Sequence, residues 1–424
     1  MKIIVVGGGW AGCSAAYMAA KHGAEVTLLE RTDMLLGTGL VGGIVRNNGR
    51  YTAAEEMIAM GAGDIMHLID NNCRHVGIDF PGHKHASLYD VVKTPAEIRR
   101  FMDRIGIHVV YEARVSKARM DGRRITAVLN DKGNEYVGDI FIDTTGTAGP
   151  MNNCIKYGNG CAMCILRCPS FGGRVSLTAL AGVEEIQGKK KDGSIGAMSG
   201  ACKLNKESLS KDLVEKLEKD GVVIEPIPEE LVENHLDIKS CQQYALQEFA
   251  ENIILLDTGH AKLMAPYYAL KKLQKIPGFE NARYEDPYAG GKGNSMRYFS
   301  MAPRDNGLQV QGVDNLFCAG EKAGLLVGHT EAIATGVLAG YNSVCFGCNK
   351  PPLILSRNTT IGEAIAYVAE CMETEIGMTQ KYTFSGSVLF QRLLELGLYE
   401  TNLDKIQSRI KKEGLDQIFA KDIA

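Results

Sequence analysis

Apolar residues fall in short, sharply bounded runs along this chain, and the first run already suggests an architecture. Lys2-Ile-Ile-Val-Val has the uninterrupted β-branched character of a strand buried on both faces. It passes straight into Gly7-Gly8-Gly9-Trp10-Ala11-Gly12 and then into Ala15-Ala16-Tyr17-Met18-Ala19-Ala20, which reads as helix. Ala24 to Leu29 predicts a second strand, ending in Glu30. Further on, Pro95 to Ile105 predicts a helix with Thr94 as N-cap and Glu97 at the third helical position, followed by a strand over Ile107 to Tyr111. Val115 to Asp131 and Gly133 to Phe141 predict a meander of short strands, with turns at Asp121-Gly122 and Lys132-Gly133. Two more apolar strands are expected, one over Asp139 to Asp143 leading to Gly146, the other over Val313 to Cys318 leading to Gly320-Glu321. Helices are expected over His329 to Tyr341 and Lys206 to Asp220, and Leu389, Phe390, Leu393, Leu394 and Leu396 predict one or two packing helices between Ser387 and Ile423.

The strand, turn and helix at the N-terminus carry Gly-x-Gly-x-x-Gly in the context a dinucleotide requires. Gly7 permits the tight turn, Gly9 lets the backbone approach a pyrophosphate, and Gly12 allows close packing of helix on strand. The helix start offers N–H groups and a positive dipole end, and Glu30 stands where an acid accepts a ribose hydroxyl. The late strand ending in Gly320-Glu321 resembles the last strand of a flavin domain, with the following helix, from Gly328-His329-Thr330, aimed at an isoalloxazine. The nucleotide is therefore expected to be FAD. Trp10, Ala11, Arg31, Val115 and Gly146 complete the candidate cofactor positions.

Composition narrows the class. At 424 residues and 45% hydrophobic, the chain can bury a large core divided into two or three lobes. A net charge of -3 gives no global reason to bind nucleic acid or an anionic membrane, and no run of about 18 uninterrupted apolar residues exists to span one. A cytoplasmic enzyme without a membrane partner is expected, and its twelve cysteines then suggest thiol, metal or redox chemistry before structural disulfides.

Ile276 to Arg283, Val313 to Gly320, Gly328 to Asn342 and Lys350 to Arg357, together with the first 50 residues, are similar in order and spacing to the glucose-inhibited-division-protein-A family. That family includes a tRNA wobble-uridine modifying flavoenzyme and the folate- and FAD-dependent tRNA uracil methyltransferase. The resemblance implies an FAD-dependent oxidoreductase, with methylenetetrahydrofolate and NAD(P)H as candidate co-substrates. The chain departs from it where Val45 stands in the place of a methyltransferase cysteine, and in the short stretch after Arg357. A small molecule or folate is thus expected as partner ahead of RNA, with a homodimer as a further expectation.

Four thiols, Cys154, Cys161, Cys164 and Cys168, crowd into fifteen residues. Four thiolates suit a [4Fe-4S] cluster, although the spacing is not that of a ferredoxin; zinc, a redox or catalytic thiol pair, and inert cysteines stay open as alternatives. The alternative function is accordingly a small-molecule redox flavoenzyme whose four-cysteine segment carries a cluster or disulfide, with a non-catalytic flavin-binding protein as a third. Candidate catalytic residues are Cys164, Cys168, His329, Arg46 and Asn47. For Arg46 and Arg50 the choice lies between a solvated loop charge and an anion clamp. The expected fold is α/β: a discontinuous, Rossmann-like FAD domain of the two-dinucleotide-binding type (1–150 and 301–345), an inserted α+β substrate lobe (151–300) and a C-terminal helical tail (346–424).

Overall fold

The computed structural model describes residues 1–146, 170–195, 197–198, 202–233, 236, 244–265, 268–285, 296–297 and 299–423. The β-branched N-terminal run forms β1 (Lys2–Val6), with four of its five side chains buried. It is followed by α1 (Trp10–Lys21), β2 (Glu25–Leu29), α2 (Gly49–Ala59), β3 (His108–Val110), β4 (Ile140–Asp143), β5 (Leu316–Cys318) and α3 (His329–Gly347). The five strands make one sheet in the order β5-β4-β1-β2-β3, every pair parallel. The chain steps from β1 outward to β2 and β3, then returns to the other side for β4 and β5. This reversal opens a crevice beyond the carboxyl end of β1, where doubly wound sheets take ligands.

One face of the sheet is closed by α1 and α3, which cross at very short range. Methyl groups added at Gly336 and Gly340 would overlap the backbone oxygens of Ala11 and Ala15. Small residues on both helices are what permit that approach. Helix α3 runs past the expected end at Tyr341 because Val344 and Cys345 continue its buried face.

The stretch 202–285 contains an antiparallel sheet in the order Cys202–Leu204, Ala261–Leu263, Asn252–Asp257, Val222–Pro226, covered by the helix Lys211–Asp220. Leu204, Leu217, Leu255 and Phe279 lie in its own apolar core. The other face of this sheet meets an element the hydropathy pattern had not suggested, the hairpin Cys73–Phe80 with His83–Tyr89. Phe80, Ala86 and Leu88 share a small core with Phe249, Ile254, Leu256 and Met264. Residues from the first 150 thus belong to the packing of the inserted sheet. At the C-terminus, helices Thr360–Met372, Ser387–Glu395 and Leu403–Lys412 fold back, the last of them placing Arg409 Nη2 2.8 Å from the buried Glu56 on α2.

The helix expected from Pro95 spans Thr94–Arg104, but Thr94 is not its cap. The Thr94 hydroxyl turns back and donates to the Asp90 carbonyl at 2.6 Å, so it is not placed to accept from the helix. Asp90 supplies the acceptor instead, its carboxylate taking the N–H groups of Val92 and Lys93 at 2.9 and 3.0 Å. Among the described residues no helix is long and apolar enough to cross a membrane.

Candidate functional site

The crevice has two ends. At the nucleotide end Gly7 has φ +107, a conformation L side chains avoid, and an added methyl there would press on the Thr144 carbonyl. Gly12 is equally constrained, since its methyl would overlap the Gly7 carbonyl oxygen. Gly9 differs from both. Its φ of -70 and ψ of -178 are open to any residue, and a Cβ there would meet no atom of the described residues within 4 Å. Helix α1 begins beside it with no side-chain cap and no acidic residue in its first turn. The N–H groups of that first turn are therefore available to an anion. Glu30 closes this end: its carboxylate accepts from Gly8 N–H at 2.7 Å, Thr32 N–H at 2.7 Å and the Thr32 hydroxyl at 2.9 Å. Two oxygens offer about four acceptor positions, so capacity remains for a ribose hydroxyl.

The other end, where the flavin is expected, gathers residues far apart in sequence. After β5, Gly320 lies against Ala11 of α1 and donates its N–H to the Thr335 hydroxyl at 2.9 Å, with Glu321 half-buried next to it. Helix α3 starts at Gly328, whose φ of +147 and whose neighbours, Glu331 and Arg50, both forbid a side chain. Arg50 and Glu331 form a buried ion pair, with Nε 3.0 Å from each carboxylate oxygen. Burial works against the Arg50 charge, but Glu331, with Tyr244, outweighs it and raises the pKa. Arg50 also donates to Asn47 Oδ1 and the Thr383 hydroxyl, while Glu331 accepts the Phe384 N–H. One ion pair thus ties α2, α3 and residues 383–384 into a single cluster. Thr330 Oγ1, in the first turn of α3, is buried and has no hydrogen-bond partner among the described residues. The His329 ring lies against Gly42, in a short helical turn (Gly39–Gly42) whose Val41 and Gly42 carbonyls are both bonded by Lys262 from the inserted sheet.

These features fit FAD: an uncapped helix start beside the open space over Gly9, an acid with spare acceptor capacity, and an orphaned hydroxyl at the start of a second helix. Of the other expected cofactor positions, Ala11 packs between Gly320 and Gly336, Arg31 donates to the Gly172 carbonyl, and Val115 is buried opposite Asn130. Gly146 lies beside Arg174. The Trp10 side chain points elsewhere, its indole N–H donating to the Tyr89 hydroxyl at 3.1 Å.

Arg46 needs correction on both expectations, for it is neither solvated nor positioned as an anion clamp. It is 8% exposed, bonded through Nε and Nη2 to Asp70 at 2.8 and 2.7 Å and paired with Glu55. Its donors are already matched to carboxylates of this chain. Arg50 is likewise buried and paired. Asn47 is fully buried between Arg50 and His83 Nδ1, the latter at 2.9 Å. The four cysteines Cys154, Cys161, Cys164 and Cys168 lie outside the described residues. Among the described residues no cluster of three or more His, Cys, Asp or Glu is arranged to hold a metal. Burial pushes the Cys318 thiol up to about 12, so it is inert at neutral pH.

Tyr89, Glu331, Lys262 and Lys322 were not foreseen. Lys322 is fully buried, within 3.1 Å of both the Ser176 hydroxyl and the Ser300 carbonyl and paired with Glu185. An acidic residue in the first turn of α3 was visible as a helix-start feature, but its partner lies 281 residues away.

The sequence profile of the family described as glucose inhibited division protein A matches residues 2–265 and 258–350. The tRNA uridine 5-carboxymethylaminomethyl modification enzyme MnmG of Karelsulcia muelleri is 32% identical over 133 residues, which is 31% of this chain and 21% of that protein. The Chlamydia trachomatis serovar L2b enzyme of the same name is 24% identical over 421 residues, covering 84% of this chain and 65% of that protein. The chain therefore spans less than two thirds of the length of these relatives. Aquifex aeolicus GidA, in its form II crystal, superposes with a TM-score of 0.69 at 16% identity, covering 99% of this chain and 73% of that one.

Proposed function

The chain belongs to the glucose-inhibited division protein A family, and on that premise we propose that it is an FAD-dependent enzyme that modifies a uridine of tRNA. The observation that carries the reading is the extent of the family match, which over its two ranges runs from residue 2 through the inserted lobe to residue 350 and is not confined to the glycine turn. In this reading residues 1–150 and 301–345 are the two parts of the FAD domain, 151–300 the substrate lobe and 346–424 a helical segment. The net charge of -3 had favoured a small molecule over RNA. A global charge does not preclude a local phosphate-binding face, and the names of the relatives favour tRNA.

FAD, when bound, supplies two-electron redox chemistry. The chain's own residues then have separable tasks. The first turn of α1 would hold the pyrophosphate, Glu30 would accept the ribose hydroxyls, and Thr330 with the N-terminus of α3 would face the flavin ring. The Arg50–Glu331 pair fixes where α3 begins. Methylenetetrahydrofolate and NAD(P)H are the candidate co-substrates.

The test is to purify the protein with its flavin, incubate it with unmodified tRNA, NADH and methylenetetrahydrofolate, and analyse the digested nucleosides by mass spectrometry. A uridine of increased mass that requires flavin supports the reading. Flavin reduction that leaves every nucleoside unchanged, with and without a small-molecule acceptor present, would overturn it in favour of a small-molecule redox enzyme.

A further inference from the structure

The far end of α3 carries a thiol pair that the crevice does not use. Cys345 and Cys348 are spaced Cys-x-x-Cys at the last turn of the helix, where Cys345 is buried, at 4% exposure, and Cys348 is exposed. The turn between them is tightened, because the Cys348 N–H is shared by the Val344 carbonyl at 2.9 Å and the Cys345 carbonyl at 3.2 Å. Asn349 follows with φ +56, and Asn349 and Lys350 donate back to the Phe346 and Cys345 carbonyls at 3.0 and 2.8 Å. The helix is thus closed by a left-handed residue, which fixes the backbone of both cysteines. Residues three apart on a helix share a face with their Cα atoms about 5 Å apart, inside the range that a disulfide spans. A tightened last turn brings such side chains closer still. Burial pushes the Cys345 thiol up to about 11, and the neighbouring Cys348 adds to the rise.

We propose that Cys345 and Cys348 are a modification site that closes to a disulfide at the expense of a small solute disulfide. The exposed Cys348 meets the solute first. Its thiolate attacks one sulfur of the solute, releases the other half as a thiol, and is left as a mixed disulfide. The Cys345 thiolate then attacks the Cys348 sulfur and expels the remaining half. The protein has given up two protons and two electrons, and one solute disulfide has become two thiols. The position of the pair separates it from other uses of thiols. Catalytic exchange draws on thiolates activated at a helix N-terminus, whereas this pair lies at a C-terminus, whose negative end disfavours them. With no stabilised thiolate to favour the reduced form, the disulfide resists reduction once made. It is no relay to the flavin either, since α3 is 19 residues long and sets the pair about 27 Å from the helix start at the crevice. Among the described residues no third His, Cys, Asp or Glu joins the two thiols to make a metal site. The consequence is mechanical: the ring locks the turn from which Lys350-Pro351-Pro352 leads toward the C-terminal helices.

In the test, the folded, reduced protein is incubated with glutathione disulfide, its remaining thiols are alkylated, and its peptides are mapped by mass spectrometry. The expected product is a peptide holding Cys345 and Cys348 that escapes alkylation and is lighter than its reduced form by a pair of hydrogens. In Cys345→Ser the second step is lost, so glutathione should stay on Cys348. In Cys348→Ser the buried Cys345 should remain a thiol. Wild-type protein that stops at the glutathione adduct overturns the proposal, as does pairing of either cysteine with another. A pair left reduced under conditions that close the ring in the isolated peptide 341–352 overturns it too, and none of these readings needs a variant to fold. Glutathione on Cys345 of a folded Cys348→Ser, gained as fast as Cys348 gains it in Cys345→Ser, would reject the order of attack. The amides of Cys348, Asn349 and Lys350 should exchange with deuterium several-fold more slowly after oxidation, and equal rates would reject the lock. The tRNA nucleoside assay is independent of all these outcomes.

Discussion

The two ends of the crevice are built on opposite principles. The nucleotide end lies within residues 7–32, and the bonds to its acid run inside that stretch, Gly8 and Thr32 to Glu30, while Thr144 bonds Val6 and Gly7 and the strand end at Val110 to Ala113 bonds the backbone of Glu30 and Thr32. The flavin end draws on Trp10, the turn at 39–42, Asn47, Arg50, Tyr89, Lys262, Glu331 and residues 383–384, which only the complete fold brings together. A local site loses little chain entropy beyond that of its own turn, whereas a site made of many separate segments depends on every closure between them. Damage at the flavin end should therefore destabilise the fold. Damage aimed at the open space of the nucleotide end should remove the ligand alone.

The largest effect is expected at the ion pair that ties the flavin end together. Arg50→Ala leaves the fully buried Glu331 carboxylate without its guanidinium partner, a loss of about 3–5 kcal/mol. Glu331→Ala strands Arg50, the Phe384 N–H and the Thr383 hydroxyl, and should cost a similar amount. Urea denaturation of both single variants and the double variant tests this. Because the residues share one interaction, the double should lose well under the sum of the singles. Strict additivity would show that the pair contributes no coupling and that the flavin end is not the unit described.

A glycine at the nucleotide end should come next. Gly12→Ala drives a methyl into the Gly7 carbonyl, so α1 must move off β1 and away from α3, at about 3 kcal/mol. The urea midpoint should fall with little change in slope. A midpoint at the wild-type value would mean that α1 shifts at no cost.

The same contrast decides what the sequence could reveal. β1, α1, β2 and Glu30 follow from contiguous residues, and so does the antiparallel meander from Val115, because turn glycines and strand patterns are written locally. Nothing local marks Arg50 or Tyr89. Arg46 and Arg50 look like loop cations until Asp70, Glu55 and Glu331 are brought alongside, 9 to 281 residues away. The hairpin 73–89 escaped for another reason: its first strand is mostly exposed, with the buried positions on its second strand set by the inserted sheet behind it. His329 was legible as the start of a helix, but its contact with Tyr89 was not.

A smaller, pH-dependent effect is expected between the lobes. Asp257 of the inserted sheet is buried, which by itself opposes its charge, but hydrogen bonds from Lys206, His75 and Arg74 outweigh burial and hold its carboxyl below the ordinary carboxylate range. A depressed folded pKa stabilises above the unfolded value, near about 4, and that contribution is lost as the pH falls through the folded value. Stability at neutral pH should drop by about 2 kcal/mol in Asp257→Asn. The decline of stability on acidification should be shallower in the variant than in the wild type, measured by urea midpoints from neutral pH to about pH 3. Parallel pH curves would remove Asp257 from the contact between hairpin and sheet.

The smallest effect on stability, and the sharpest test of the comparison, belongs to Gly9. The residue needs no glycine for its own sake: its backbone is extended, and none of the described residues fills the space beside it. Gly9→Val should thus change the unfolding free energy by less than about 1 kcal/mol, the scale of an altered N-cap. If the empty space is where the pyrophosphate lies against the first turn of α1, valine fills it and the protein should purify without stoichiometric flavin, read from its visible absorbance. Gly12→Ala loses fold and flavin together, so only the Gly9 variant separates binding from folding. Retained flavin in a well-folded Gly9→Val would sink the FAD assignment at this turn, and unfolding of that variant would erase the distinction between the two ends.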